Sequence, residues 1–216
     1  MKNRVLMFWI ALLFVFTGTM TVLYTAGVIG SRSRPSDEPT QEVSTAKDAE
    51  ITGNKVEGFS LRDQLGRDFD ASAMEGKIWI ASVFFVDCPS LCRMQNKEIQ
   101  QLQKEFGPRG VEFVSITCDP QKDTVSRLNN YSQMYNAEPE KWHFLTGDYQ
   151  EIKRVGNEVF QLVVAPQSHS DRLVLIGPDG IILGGFSSLN AVQMADLRKN
   201  LNELLAEQEQ PEAAVE

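Results

Sequence analysis

An α/β fold with a mixed central sheet, flanked by helices, is what this sequence predicts, on three observations. Apolar runs short enough for strands alternate along the chain with stretches of helical period. One of them, KIWIASVFF at residues 77–85, is apolar almost throughout, as a strand covered on both faces must be. The order closes with two apolar runs around a Pro-Asp-Gly turn at residues 172–186, a hairpin that makes the sheet mixed.

The 216 residues suit one ordinary domain plus extensions, and no internal repeat is visible. A 42% apolar, 23% charged composition belongs to a folded globular chain. Its net charge of −8 argues against a nucleic-acid partner. Residues 5–29, VLMFWIALLFVFTGTMTVLYTAGVI, contain no charge and are long enough to cross a bilayer. Residues 1–30 therefore read as an N-terminal transmembrane helix. It is expected to stay uncleaved, since no convincing small-x-small site follows it. Lys2 and Arg4 precede it and Arg32 and Arg34 follow, so the positive-inside rule gives little orientation. Residues 31–54 are rich in Pro, Ser, Thr and charge and read as a flexible tether. The folded domain is expected over residues 55–206, and the acidic residues 207–216 as a disordered tail.

Within the domain, FSLRDQLGRDFD at residues 59–70 alternates around Gly66 and predicts a short N-terminal hairpin. The strand at 77–85 follows. A three/four spacing through Cys88, Cys92, Gln95, Ile99, Leu102 and Phe106 then predicts a helix beginning near Pro89, with both thiols inward. GVEFVSI at 110–116 is a second strand. Asp123 is expected to cap a helix carrying Val125, Leu128, Tyr131 and Tyr135. WHFL at 142–145 is a third strand, with His143 on one of its faces, and residues 148–160 read as helical. Asn190 opens a last helix bearing Leu197, Leu201, Leu204 and Leu205.

The chemistry-bearing segment is FFVDCPSLCR at residues 84–93. Ligands in open α/β sheets collect at the carboxyl ends of strands, where this segment lies. Cys88 and Cys92 are four apart, in a chain with only three cysteines. On a regular helix their Cβ atoms would stand about 5–6 Å apart, against about 3.5–4.5 Å in a relaxed disulfide. A purely structural staple is thus a poor use of the spacing. A helix N-terminus favours the thiolate, which opens redox chemistry. Two thiolates can also share a soft ion such as Cu(I), and imidazole suits copper too. The chain has two histidines, His143 and His169, and His169 directly precedes a strand.

Four segments in order resemble the Sco/SenC family of thioredoxin-like copper-binding proteins of cytochrome c oxidase assembly. They are FFVDCPSLC, SITCDPQKDT, WHFLTG and HSDRLVLIGPDG. The resemblance implies a thioredoxin-like fold and a copper site, Cu(I) or Cu(II), formed by Cys88, Cys92 and His169. It also implies a single-pass protein of the bacterial inner membrane whose domain faces the periplasm. Such a protein would serve as a metallochaperone, with an oxidase copper subunit or another copper-receiving protein as partner. Arg93 and Cys118 stand where the family more often has Pro and Val. Cys118 reads as a buried thiol near the site, with extra ligand or disulfide partner as alternatives. A second function stays open: a thiol–disulfide reductase working through Cys88 and Cys92 on a partner's cysteines. A peroxide-reducing enzyme is a third, but leaves the second thiol and His169 unexplained.

Overall fold

The structure is a computed structural model and describes residues 53–167 and 170–209. The apolar segment 5–29, most of the tether and the last seven residues lie outside them. Among the described residues no helix is long and apolar enough to cross a membrane.

Strands β1 (Ser60–Arg62) and β2 (Asp68–Asp70) pair antiparallel as the expected hairpin, with Gly66 at φ +79° in its turn. Strand β3 (Trp79–Phe84) is followed by helix α1 (Leu91–Phe106), then β4 (Glu112–Thr117) and α2 (Val125–Met134). Next come β5 (Trp142–Leu145) and α3 (Tyr149–Arg154), which runs on into one π-helical turn, Val155–Val159. The hairpin of β6 (Arg172–Ile176) and β7 (Ile182–Ser187) precedes α4 (Ala191–Glu209). That last helix continues past Ala206, where the tail was expected to begin.

The five-stranded sheet runs β5-β4-β3-β6-β7. β3, β4 and β5 are parallel, whereas β6 and β7 are antiparallel to their neighbours, so the sheet is mixed. β3 lies at its centre with every residue buried, which explains its unbroken apolar run. Ser82 and Ser115 break the apolar pattern but satisfy each other at 2.9 Å, and Trp142 Nε1 donates to Ser115 Oγ at 2.9 Å.

The small hairpin covers the β5 edge. Arg62 and Thr146 exchange two backbone hydrogen bonds of 2.8 Å. Beyond them the Gln64 amide replaces a missing strand: its Nε2 donates to the Trp142 carbonyl at 2.9 Å and its Oε1 accepts from Phe144 N–H at 2.8 Å. A buried side chain thus satisfies an edge that would otherwise leave two backbone groups unpaired.

At the amino ends of β4 and β5, buried Glu112 and His143 face each other, with Nε2 and Oε2 3.8 Å apart. Lys77 Nζ stands 3.0 Å and Lys141 Nζ 3.9 Å from the same carboxylate. Burial works to raise the Glu112 pKa, but His143, Lys77 and Lys141 outweigh it and hold the carboxyl below its usual range. His143 is therefore a structural residue at the pole of the sheet opposite the thiols.

Two outcomes follow. Gln64→Leu should cost about 2 kcal/mol, by orphaning two buried backbone groups, read as a lower urea midpoint at unchanged slope. A depressed carboxyl stabilises the fold above its unfolded pKa, and that contribution is lost as pH falls through the folded value. Glu112→Gln should thus destabilise the protein at pH 7 by about 1–3 kcal/mol. The difference should begin to shrink below about pH 4 and vanish only once the pH falls below the lowered folded value.

Candidate functional site

The carboxyl ends of β3 and β4 form the floor of the site. The parallel register pairs Phe84 with Thr117, and Cys118 N–H donates to the Phe84 carbonyl at 2.8 Å. The chain leaves β3 through Phe85, Val86 and Asp87 and turns at Cys88, whose N–H reaches the Phe85 carbonyl at 3.3 Å.

Helix α1 begins at Leu91, with Ser90 at its N-cap, rather than near Pro89. Cys88 consequently lies in the turn before the helix, and only Cys92 lies on its first turn. The reason is local: Ser90 is out of helical conformation at φ −145°, so the regular i,i+4 geometry does not govern this pair. Both thiols still point inward. Cys88, Cys92 and Cys118 are each 0% exposed, and none is in a disulfide.

Cys92 N–H donates to Cys88 Sγ at 3.2 Å, so the helix start holds the first thiol against the second. Burial pushes the Cys92 thiol up to about 12. Its hydrogen bond with Cys88 and the nearness of Cys88 and Cys118 add to the rise; a backbone hydrogen bond from Phe85 opposes it. At Cys92, desolvation exceeds any favour that a helix N-terminus gives to thiolate.

Asp123 holds the floor together. It was expected to cap α2, but Thr124 occupies that place, its Oγ1 accepting from Arg127 N–H at 3.5 Å. Asp123 is instead 1% exposed. Its Oδ2 accepts from Val86 N–H at 3.0 Å and from Thr117 Oγ1 at 2.6 Å. One carboxylate thus ties the segment leading into Cys88 to the strand end leading into Cys118. Burial raises its pKa despite these donors. Arg127 lies 3.7 Å from Asp123 Oδ1 and pairs with Asp87 next to Cys88. A polar residue before a helix gave a cap signal; only the strand ends beside it decided otherwise.

Behind the thiols, Asn96 Nδ2 donates to Tyr131 OH at 3.0 Å, joining α1 to α2. Tyr131 stacks on Phe84 with ring centroids 5.3 Å apart. Gln95 Nε2 donates to the Arg172 carbonyl at 3.3 Å, joining α1 to the start of β6. His169 itself, with Ser168, lies outside the described residues. The chain before them is held by Val164 N–H on Asn157 Oδ1 at 2.8 Å and by Leu162 N–H on the Gly156 carbonyl at 2.8 Å. A Cβ on Gly156 would meet Val164 Cγ2 at 2.0 Å, so this approach requires glycine. Among the described residues no group of three or more His, Cys, Asp or Glu side chains is arranged to hold a metal.

The fold and site define a class: a thioredoxin-like α/β domain with a buried dithiol at the carboxyl end of its central strand. The SCO1/SenC family profile matches residues 47–206, well over half of the chain, and the chain belongs to that family. It is 25% identical over 152 residues to the SCO1 protein homolog of Bacillus subtilis (strain 168), covering 66% of this chain and 79% of that one. The crystal structure of a SCO1/SenC family lipoprotein from Bacillus anthracis str. Ames has a TM-score of 0.64 and 26% identity, over 69% of this chain and 94% of that one. Bradyrhizobium japonicum ScoI, solved with copper bound, has a TM-score of 0.57 at 23% identity, over 68% of this chain and 99% of that one, and shows the fold alone.

Replacing Asp123 by Ala should destabilise the protein by about 2–4 kcal/mol, since two buried donors lose their acceptor. It should also speed native-state alkylation of Cys88 by loosening the segment that carries it. Asp123→Asn keeps an acceptor and should cost less on both measures. Equal effects of the two variants would show that the carboxylate is not the tie.

Proposed function

We propose that this chain is a membrane-anchored copper metallochaperone in which Cys88, Cys92 and His169 hold copper for delivery to the copper subunit of cytochrome c oxidase. The observation that carries the reading is the pair of unbridged, buried thiols at the carboxyl end of β3. Two soft sulfurs and one imidazole suit Cu(I) at low coordination number, and an open position lets a recipient's ligand enter. Both sulfurs must shed protons to ligate, so loading releases protons and needs the reduced dithiol. A relative from Stutzerimonas stutzeri, 30% identical over 140 residues, is a putative copper-binding protein, which supports the metal. Gln95, on the helix of Cys92, bonds to Arg172, and His169 precedes Arg172 by three residues in sequence, which supports His169 as the third ligand.

The apolar segment 5–29 is the anchor, and membership of the SCO1/SenC family supports a domain on the periplasmic side of a bacterial inner membrane. The Bacillus anthracis relative is a lipoprotein. In this sequence all three cysteines fall at 88, 92 and 118, so no cysteine near the apolar segment offers a thioether for lipid.

A thiol–disulfide reductase is the second reading, favoured by the direct Cys92 N–H to Cys88 sulfur contact. It needs both thiols but not His169. The full chain in detergent, reduced and kept anaerobic, is titrated with Cu(I) against a competing chelator. Tight one-to-one binding is expected, falling at least tenfold, about 1.4 kcal/mol or more, in Cys88→Ser and His169→Ala and unchanged in Cys118→Ser. Binding indifferent to His169→Ala, with dithiol reductase activity intact, would replace the chaperone reading by the reductase.

A further inference from the structure

Cys118 is the third thiol of this chain, and neither the copper site nor the dithiol reading uses it. The sheet register brings it to the site. Phe84 pairs with Thr117, so the next residues, Phe85 and Cys118, leave the two strands side by side. Cys118 N–H on the Phe84 carbonyl continues the pairing for one more bond. Adjacent strands lie about 4.8 Å apart. Cys88 N–H is bonded to the Phe85 carbonyl at 3.3 Å, and Cys92 N–H to the Cys88 sulfur at 3.2 Å. Two hydrogen bonds thus lead from the residue directly beside Cys118 to Cys92. Each of the three cysteines is buried and closed to solvent.

We propose that Cys118 is a third working thiol, which exchanges with a Cys88–Cys92 disulfide by attack on the Cys92 sulfur. The oxidising equivalents enter first, from a small-molecule disulfide that is reduced to two thiols as Cys88 and Cys92 bridge. Cys118, deprotonated, then attacks Cys92 Sγ. The Cys92–Cys118 bond forms and the Cys88–Cys92 bond breaks. The electron pair leaves with Cys88 sulfur, which takes up the proton that Cys118 gave up. No net oxidation occurs in this second step. The exchange moves the bridge from a very short loop to one spanning α1 and β4, which restricts the unfolded chain more. It also returns Cys88, at the end of the segment tied by Asp123, to its thiol form while Cys92 is held. The pair of sulfurs is then split, so this state cannot grip a soft ion with both.

Trypsin makes the bridge visible. Cleavage after Lys77 and Arg93 leaves Cys88 and Cys92 on one peptide, residues 78–93, while Cys118 falls on residues 110–122. A Cys88–Cys92 bridge stays within the first peptide; a Cys92–Cys118 bridge joins the two. The folded full chain in detergent is oxidised with glutathione disulfide, alkylated, digested and weighed by mass spectrometry. Wild type is expected to show the internal bridge first and the joined pair later, with the joined pair lost on reduction. Cys88→Ser should give the joined pair directly, and Cys92→Ser should not give it. A wild type that never yields the joined pair, with Cys118 alkylated throughout, overturns the proposal. So does a joined pair that persists in Cys92→Ser, because Cys92 would not be the partner. The wild-type time course stands even if a variant folds poorly. Copper is absent from the readout, so the exchange can fail while the chaperone reading holds, and the reverse.

Discussion

The pairing of β3 with β4 is the constraint on which the rest depends. β3 is hydrogen-bonded on both edges and buried on both faces, so it cannot shift without breaking two ladders and uncovering the core. Its parallel register with β4 brings two strand ends to one level. Everything chemical here begins within a few residues of that level: Val86, Asp87 and Cys88 after one strand, Thr117, Cys118 and Asp123 after the other. Asp123 then converts a neighbourhood into a fixed geometry, because one buried carboxylate accepts from both sides. The rigid sheet supplies the position and the buried acid supplies the orientation.

The pocket is closed, and closure has consequences for how it works. Thiols with no exposed surface are guarded against indiscriminate oxidation, and Cys92 in particular keeps its proton. A metal, a partner ligand or an oxidant therefore needs a local opening to reach them. At the other pole, Glu112 and His143 are locked by strand pairing and flanking lysines and take no part in the thiol chemistry.

Most of the element order was legible from periodicity. The unbroken apolar run of β3, the alternation around Gly66 and the Pro-Asp-Gly turn each reflect a local rule that the fold obeys. What went unread were features decided between elements. Asp123 carries the signature of a helix cap, yet two donors from neighbouring strand ends offer it more than its own helix does, and Thr124 takes the cap. Pro89 marks a helix start well by its fixed φ, but Ser90 lies out of helical conformation and moves the first turn to Leu91. Gln64 looks like an ordinary polar residue in a turn. It acts as a missing strand only because β5 is an edge strand.

The sequence by itself determined the fold class, the strand and helix order, and the residue types on offer: two thiols four apart after the central strand, a third thiol after the next one, and an imidazole ahead of β6. Those follow from local pattern and from side-chain chemistry, neither of which needs a neighbour. The tertiary structure alone decided that Cys92 keeps its proton, that Asp123 binds two strand ends, and that Cys118 stands beside the residue whose carbonyl holds Cys88. Each of these depends on desolvation or on registry between segments far apart in the chain, and no local pattern encodes which distant group will be brought alongside.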